Sequence, residues 1–370
     1  MKKILFMIPT LDQGGAEKVL VNLVNNMDKE KYDITVLTLF GGGINRQFLK
    51  PHVKNGYCIK RIFPGNSKFF CLFSPRFLFK YFIKEKYDII VSYLEGPTAR
   101  IVSGCTDEDT KLVSWIHVQQ ETKSEVTAAF RSFREADKCY KRFDKTICVS
   151  NYVKKNFTDN FRDINNVEVL YNTNETEKIQ ELSKEPVDDY AFYDGKKTVI
   201  SIGTLKKSKG FDRLVRIHKR LIDEGVLHNI IVLGRGPEKE NLKQLIEKNG
   251  VTDSFRLLGY NTNPYKYIRN SDLFVCASFA EGFSTAATES LIVGTPVVTV
   301  DVSGMKEMLG EHNEYGIVTE NDEDSLYSGI KMLLTDDNKY NYYEEKASER
   351  GKFFNTKSTV NSVQEMLDSL

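Results

Sequence analysis

Two hydrophobic periods take turns along this chain. Short runs rich in β-branched residues alternate with stretches in which apolar residues recur every three or four positions. The first half carries such runs at KILFMI, DITVLTL, YCIKRIF, DIIVSY, KLVSWIH, KTICVS and VEVLYN, and the second at TVISIG, NIIVLG, FRLLG, LFVCAS, PVVTVD and GIVTE. Between them the clearest helices are expected over 211–224 and 237–248. Strands apolar on both faces, separated by amphipathic helices, are what parallel sheets covered by helices require. The pattern predicts two doubly wound α/β domains.

Length agrees, since 370 residues exceed what one hydrophobic core usually organises. The polar stretch 173–197 reads as a linker with a short helix at most. It divides a first domain, 1–172, from a second, 198–352. The tail from about residue 338 to 370 reads as helical, charged and aromatic, and its last part, 353–370, as a helix that could return to the first domain. Two domains of this kind predict an enzyme that works in the cleft between them.

Charge changes the picture. Residues 1–170 hold 27 Lys and Arg against 19 Asp and Glu, and residues 171–370 hold 25 against 32. The basic first half is expected to prefer an anionic partner such as a membrane surface, and no recognition motif points to nucleic acid. MKKILFMIP imitates a signal peptide, but its apolar run stops at Pro9, too short for export. Six cysteines without a CxxC argue against disulfides and zinc. A cytoplasmic protein follows, peripheral at the inner face of the membrane if the basic half binds lipid.

In open α/β sheets, ligands bind beyond the carboxyl ends of strands, where helix N-termini offer free N–H groups to phosphates. Four strand-to-helix turns are therefore candidates. PTLDQGGAEKVL sets Gly14 and Gly15 between the first strand and a helix, either to approach an anion or only to turn tightly. Glu17 there reads as a first-turn helix carboxylate. IGTLKKSKGFDRLV brings Lys206, Lys207 and Lys209 to a turn where they could grip a diphosphate, or simply be solvated. LGRGPEKENL has only Gly234 and Gly236 of a dinucleotide fingerprint, so Arg235 is better read as facing a nucleotide than as part of an NAD site.

The fourth turn, EGFSTAATESLIVGTPVV, is the most informative. Glu281 lies in the turn, Ser284 is the expected N-cap, and Thr285 to Val293 continues as helix with Glu289 inside it. The two carboxylates should stand on the order of 10 Å apart with the helix N-terminus between them. That spacing is too long for a shared proton. It suits one elongated ligand with hydroxyls at both ends and a diphosphate in the middle.

Glu281-x7-Glu289 with Gly282-Phe283 resembles the signature of glycosyltransferase family 4, retaining enzymes of the GT-B fold in which two Rossmann-like domains face a central cleft. GGAEKVL, SWIH, ICVSNYVKKNF, VLYN, IGTLKKSKGFDRLV, LGRGPE, NPYKYIRNSDLFV and GTPVVTVDVSGMKEML match in order over nearly the whole chain. The resemblance implies a nucleoside diphosphate sugar as donor, with UDP the expected nucleotide. Glu289 would accept from the ribose, and Lys209 would neutralise the diphosphate. Glu281 and the amides of Gly282, Phe283, Ser284 and Thr285 would hold the transferred sugar. His117 would sit near that sugar and the attacking hydroxyl, and Gly15 would approach the donor from the opposite domain. Without the family, a histidine ending a strand is as well read as a core residue.

One position departs from the family pattern, which has arginine where this chain has Thr204. Losing a charge-assisted contact costs about 1.5–3 kcal/mol, and Lys206 or Lys207 is expected to compensate. No metal or other cofactor is expected; the Asp-x-Asp of TDEDT, 106–110, reads as a solvated loop. Retention is expected through a front-face reaction assisted by the leaving diphosphate. The acceptor, a glycan or lipid-linked sugar, should bind the basic first domain. There Ser74 and Pro75 start a helix with Arg76, Lys80 and Lys84 in a stripe, either a packed helix with solvated lysines or a membrane contact. The alternatives are a non-catalytic GT-B subunit, a GT-B epimerase or phosphorylase, and an NAD-dependent oxidoreductase, which lacks its complete glycine motif.

Overall fold

The structure is a computed structural model of the chain and describes residues 1–192, 195–302 and 304–370. Residues 193 and 194 of the expected linker, and Ser303 of the GTPVVTVDVSGMKEML motif, lie outside the described residues. The chain forms two compact units, Met1–Thr173 with Thr356–Leu370, and Asn174–Asn355.

The first unit holds a seven-stranded parallel sheet of β1 (Lys2–Ile8), β2 (Tyr32–Phe40), β3 (Lys54–Ile59), β4 (Ile89–Ser92), β5 (Lys111–Ile116), β6 (Lys145–Cys148) and β7 (Val167–Val169). Their order is β3-β2-β1-β4-β5-β6-β7. β1 is central, and its residues Ile4 to Ile8 are fully buried, as a strand covered on both faces must be. β3 ends earlier than YCIKRIF suggests. Its residue Ile59 pairs with Phe40, the last residue of β2, so beyond that point the edge strand has no neighbour.

The second unit repeats the arrangement with six strands, β8 (Lys197–Ile202), β9 (His228–Leu233), β10 (Phe255–Gly259), β11 (Leu273–Cys276), β12 (Val297–Val300) and β13 (Ile317–Thr319). Their order is β10-β9-β8-β11-β12-β13, again all parallel. The helix expected over 211–224 spans Phe211–Asp223. The one expected over 237–248 starts later, at Lys239–Lys248, with Glu238 as its N-cap, whose amide donates to the Leu205 carbonyl (3.0 Å).

The polar stretch after residue 173 is in part a structural element of the second unit. Helix Thr176–Leu182 packs on helix Thr285–Val293. It buries Thr176, Ile179 and Ser183, and the Thr176 hydroxyl donates to the Phe354 carbonyl.

The tail consists of two helices that part company. Asp337–Gly351 stays in the second unit against helix Thr285–Val293. Thr356–Asp368 belongs to the first, burying Val360, Val363, Met366 and Leu367 along one stripe. Lys2 Nζ donates to the Leu367 carbonyl (3.1 Å), the Asp28 amide to Gln364 Oε1 (2.8 Å), and the Tyr32 hydroxyl to Asp368 Oδ1 (2.9 Å). Asp368 also pairs with Lys31.

Candidate functional site

Each sheet reverses its winding beside its first strand. β1 lies between β2 and β4, and β8 lies between β9 and β11. Within each sheet the chains leaving the two strands at the reversal, β1 and β4 in the first and β8 and β11 in the second, turn to opposite faces, which opens a crevice at the carboxyl ends of that sheet. The turns singled out in the sequence follow these strands and their immediate neighbours.

In the first unit, Gly14 and Gly15 follow β1, and helix Gly15–Asn26 begins there with Gly14 as its cap. Glu17 folds back so closely that a Cβ on Gly14 would meet its carboxylate at 2.0 Å. Thr10 Oγ1 donates to the same carboxylate at 3.4 Å.

His117 follows β5 and is 5% exposed. Its ring lies 4.8 Å from that of Tyr93, which lies 4.8 Å from Trp115. Burial pulls the imidazole down to about 3, so it is neutral at physiological pH. Its Nε2 is buried with no hydrogen-bond partner among the described residues. Buried polar atoms are normally paired, so this one is free to bond a ligand.

The His117 amide donates to Glu95 Oε2 (2.9 Å). Burial holds the Glu95 carboxyl above the usual carboxylate range, against the pull of amides at His117, Glu95 and Val118, while the Glu17 charge pushes it further up. Sequence reasoning missed Glu95. The available signal was a carboxylate in the turn after β4, two residues before the Pro97 that opens a helix.

In the second unit the turn after β8 and the turn after β11 meet. Lys209 Nζ lies 2.5 Å from Glu281 Oε1. Burial lowers the lysine's proton affinity, but the Glu281 carboxylate beside it outweighs that, and the net effect keeps Lys209 cationic. The same oxygen of Glu281 accepts from Ser278 Oγ (2.5 Å) and lies 3.7 Å from Cys276 Sγ. Burial, then Glu281, pushes the Cys276 thiol up and keeps it protonated.

The meeting of the two turns depends on Gly210, which has φ +65°; a Cβ there would stand 1.9 Å from the Ala277 carbonyl oxygen. Only glycine combines that conformation with that approach. Arg213, fully buried on helix Phe211–Asp223, completes the junction. Its Nε donates to the Ala277 carbonyl (2.8 Å), Nη2 to the Ser278 carbonyl (3.0 Å) and Nη1 to Asn321 Oδ1 (2.9 Å). Its guanidinium also lies 4.2 Å from the centre of the Phe279 ring. Arg213 went unread in the sequence because its partners lie 64, 65 and 108 residues away, and Ser278 because no local pattern marks it.

Helix Thr285–Val293 begins beside this ion pair. Ser284 caps it by accepting from the Ala287 amide (3.3 Å), Gly282 and Phe283 are buried, and Glu289 is 3% exposed inside it. The arrangement joins a helix N-terminus, a cation and a carboxylate, which can hold a phosphate flanked by hydroxyls.

The remaining predicted residues sit outside this cluster. Lys206 and Lys207 are exposed with no ion-pair partner among the described residues. Thr204 is half-buried, and its carbonyl accepts from the Lys206 amide (2.7 Å). Arg235 leans over the Tyr260 ring at 5.7 Å. Asp107 and Asp109 are both bridged by Lys86, at 3.0 and 3.3 Å. No group of three or more potential metal ligands occurs among the described residues.

Comparison with known proteins gives this geometry a family. Residues 13–178 match the family model described as Glycosyltransferase Family 4, and residues 183–350 match that of Glycosyl transferases group 1. A Campylobacter jejuni N-acetylgalactosamine-N,N'-diacetylbacillosaminyl-diphospho-undecaprenol 4-alpha-N-acetylgalactosaminyltransferase is 36% identical over 189 residues, 50% of this chain and 49% of that one. The chain thus spans about half the length of that relative. An uncharacterized glycosyltransferase of Haemophilus influenzae is 25% identical over 362 residues, 94% of both chains. Among solved structures, Anabaena Alr3699/HepE in complex with UDP and glucose has a TM-score of 0.78 at 18% identity, covering 100% of both chains. The fold is GT-B, and the chain belongs to the glycosyltransferases of family 4, group 1.

Proposed function

We propose that this glycosyltransferase moves a sugar from a nucleoside diphosphate, UDP in the first instance, to a hydroxyl of a glycan or lipid-linked acceptor, with retention of configuration. The observation that carries the reading is the Lys209–Glu281 pair at the N-terminus of helix Thr285–Val293. Lys209 and the first-turn amides would take the diphosphate, Glu281 the hydroxyls of the transferred sugar, and Glu289 the ribose. Catalysis would come from stabilising charge on the departing diphosphate and from positioning.

His117, neutral because burial holds its pKa at about 3, would serve as a hydrogen-bonding partner of the sugar or the acceptor hydroxyl. It would not remove a proton outright. A front-face path, with the diphosphate oxygen receiving the acceptor's proton, needs no further base. We also propose that the reaction runs without a metal ion, since Lys209 and the helix N-terminus supply the countercharge. Turnover unchanged after chelator treatment would support that point, and turnover restored only by added Mg²⁺ would refute it.

The printed names of the relatives support the substrate classes. The Campylobacter relative is named for a diphospho-undecaprenol acceptor, and the Anabaena structure holds UDP and glucose. A second reading, a non-catalytic subunit, is favoured only by Thr204. Thermal-shift screening against UDP-, GDP- and ADP-sugars, followed by turnover on lipid-linked and soluble acceptors, separates the two. Stabilisation with turnover supports the enzyme; stabilisation by a nucleotide sugar without turnover on any acceptor supports the subunit.

A further inference from the structure

Residues 60–84 hold six Lys or Arg and no Asp or Glu, within a segment unusually rich in aromatic side chains. The rings of Phe69, Phe73, Phe77 and Tyr81 follow one another at 5.5, 5.2 and 6.1 Å, the last two pairs stacked, so they form one continuous ladder. Three members of this surface are strongly exposed: Leu72 at 72%, Tyr81 at 62% and Phe77 at 51%.

The usual explanation of aromatics on a short helix, packing on the sheet, does not cover them. Helix Pro75–Phe82 buries Leu78 and, just beyond its end, Ile83. At 100° per residue, Arg76, Lys80, Phe77 and Tyr81 all fall on the opposite arc, and all four are exposed. The core-facing side is already apolar, and the solvent side carries two large rings beside two cations. Lys84 continues the basic stripe and donates to the Lys80 carbonyl at 2.8 Å.

The ladder is held rigidly outward. Arg100, fully buried, donates to the Phe70 and Phe73 carbonyls (2.9 and 2.7 Å) while pairing with Glu135 (3.0 Å). Arg131 donates to the Cys71 and Leu72 carbonyls (2.5 and 3.2 Å). Four anchored carbonyls fix the turn that lifts Leu72 into solvent.

We infer that this face, formed by Leu72, Phe77 and Tyr81 with Arg76, Lys80 and Lys84, docks the first unit on an anionic lipid bilayer. Apolar side chains ringed by cations, with no carboxylate in the segment, match the boundary between acyl chains and anionic headgroups. The cations would draw the protein to the surface over about a Debye length, and the rings would enter the interface. No helix among the described residues is long and apolar enough to cross a membrane, so the contact would be peripheral. The inference stands on this surface alone and does not depend on which acceptor the enzyme uses.

The test is co-sedimentation of the full chain with vesicles of phosphatidylcholine containing 30% phosphatidylglycerol, and with pure phosphatidylcholine, at low and high salt. Binding to the anionic vesicles, weakened by salt, is expected. R76A/K80A should weaken it by roughly 5-fold per cation, and F77S/Y81S by at least about 10-fold, with thermal unfolding of both variants unchanged. Anionic vesicles that fail to pull down the protein at low salt would overturn the inference. So would binding that F77S/Y81S leaves intact, or that soluble polyphosphate competes away fully, since either result would describe a simple polyanion site.

Discussion

Lys209 Nζ and Glu281 Oε1, 72 residues apart in sequence, form a 2.5 Å ion pair at the mouth of helix Thr285–Val293. Each holds the other where a ligand would need it. An arriving diphosphate would offer Lys209 a stronger partner and turn Glu281 toward sugar hydroxyls. Replacing Lys209 or Glu281 by alanine should each lower kcat/KM for the donor by ~10²–10³-fold. The double variant should be little worse than either single one, because residues in direct contact couple. Steady-state kinetics on the three proteins check this, and simple multiplication of the two effects would separate their roles.

The lysine turn carries a second expectation. Lys206 and Lys207 are exposed beside Thr204, so both side chains can swing to a bound diphosphate. K206A/K207A should weaken donor binding by ~10- to 100-fold, and T204R in that background should recover most of it. Calorimetric titration with the preferred nucleotide sugar measures both. An unchanged Kd in the double variant would mean that Thr204 is not compensated from this loop.

Arg213 should matter for stability and turnover together. Its guanidinium satisfies the Ala277 and Ser278 carbonyls and Asn321 in a buried site. R213M should cost about 3 kcal/mol in urea unfolding, because those acceptors lose their donors. The loop that carries Ser278 would also loosen, so kcat should fall more than KM rises. R213K keeps the charge but not the planar fork and should recover only part of either loss.

Acid should weaken the second unit through a buried histidine chain. His228 Nδ1 faces the Val226 carbonyl at 2.8 Å, so the proton sits there and Nε2 accepts from His218 Nδ1 (2.9 Å). His218 Nε2 then accepts from the Ser254 hydroxyl (2.8 Å). No position is left for another proton. Burial, then the neighbouring His228, lowers His218 to about 3, and burial lowers His228. The unfolded chain therefore binds more protons below about pH 6.5, and stability is full above that pH and lost on the way down. His218 alone should remove on the order of 2 kcal/mol by pH 5. Urea midpoints at pH 7 and pH 5 should separate less in His218→Gln than in the parent, and an equal separation would exclude this histidine.

Much of the fold was legible because parallel strands announce themselves. Within NIIVLG the four residues Ile230 to Leu233 are apolar without a break because β9 is buried on both faces. Ser284 and Ser74 were readable as caps because capping is a local bond, and both accept from the amide three residues on. What escaped was long-range or masked by polarity. Helix Thr176–Leu182 looked like linker because its buried residues are few, although Thr176, Ile179 and Ser183 repeat at helical spacing. Arg213 is charged, and charged residues default to solvent unless a partner distant in sequence claims them. Glu281 was found from its spacing to Glu289, but that Lys209 would meet it depended on Gly210 letting two turns close together.

The most direct measurement is an NMR time course of the reaction between the stabilising nucleotide sugar and a lipid-linked or soluble glycan acceptor. The account predicts release of nucleoside diphosphate together with a glycoside whose anomeric configuration equals that of the donor, and loss of both signals in K209A. A product of inverted configuration, or full turnover in K209A, would contradict it.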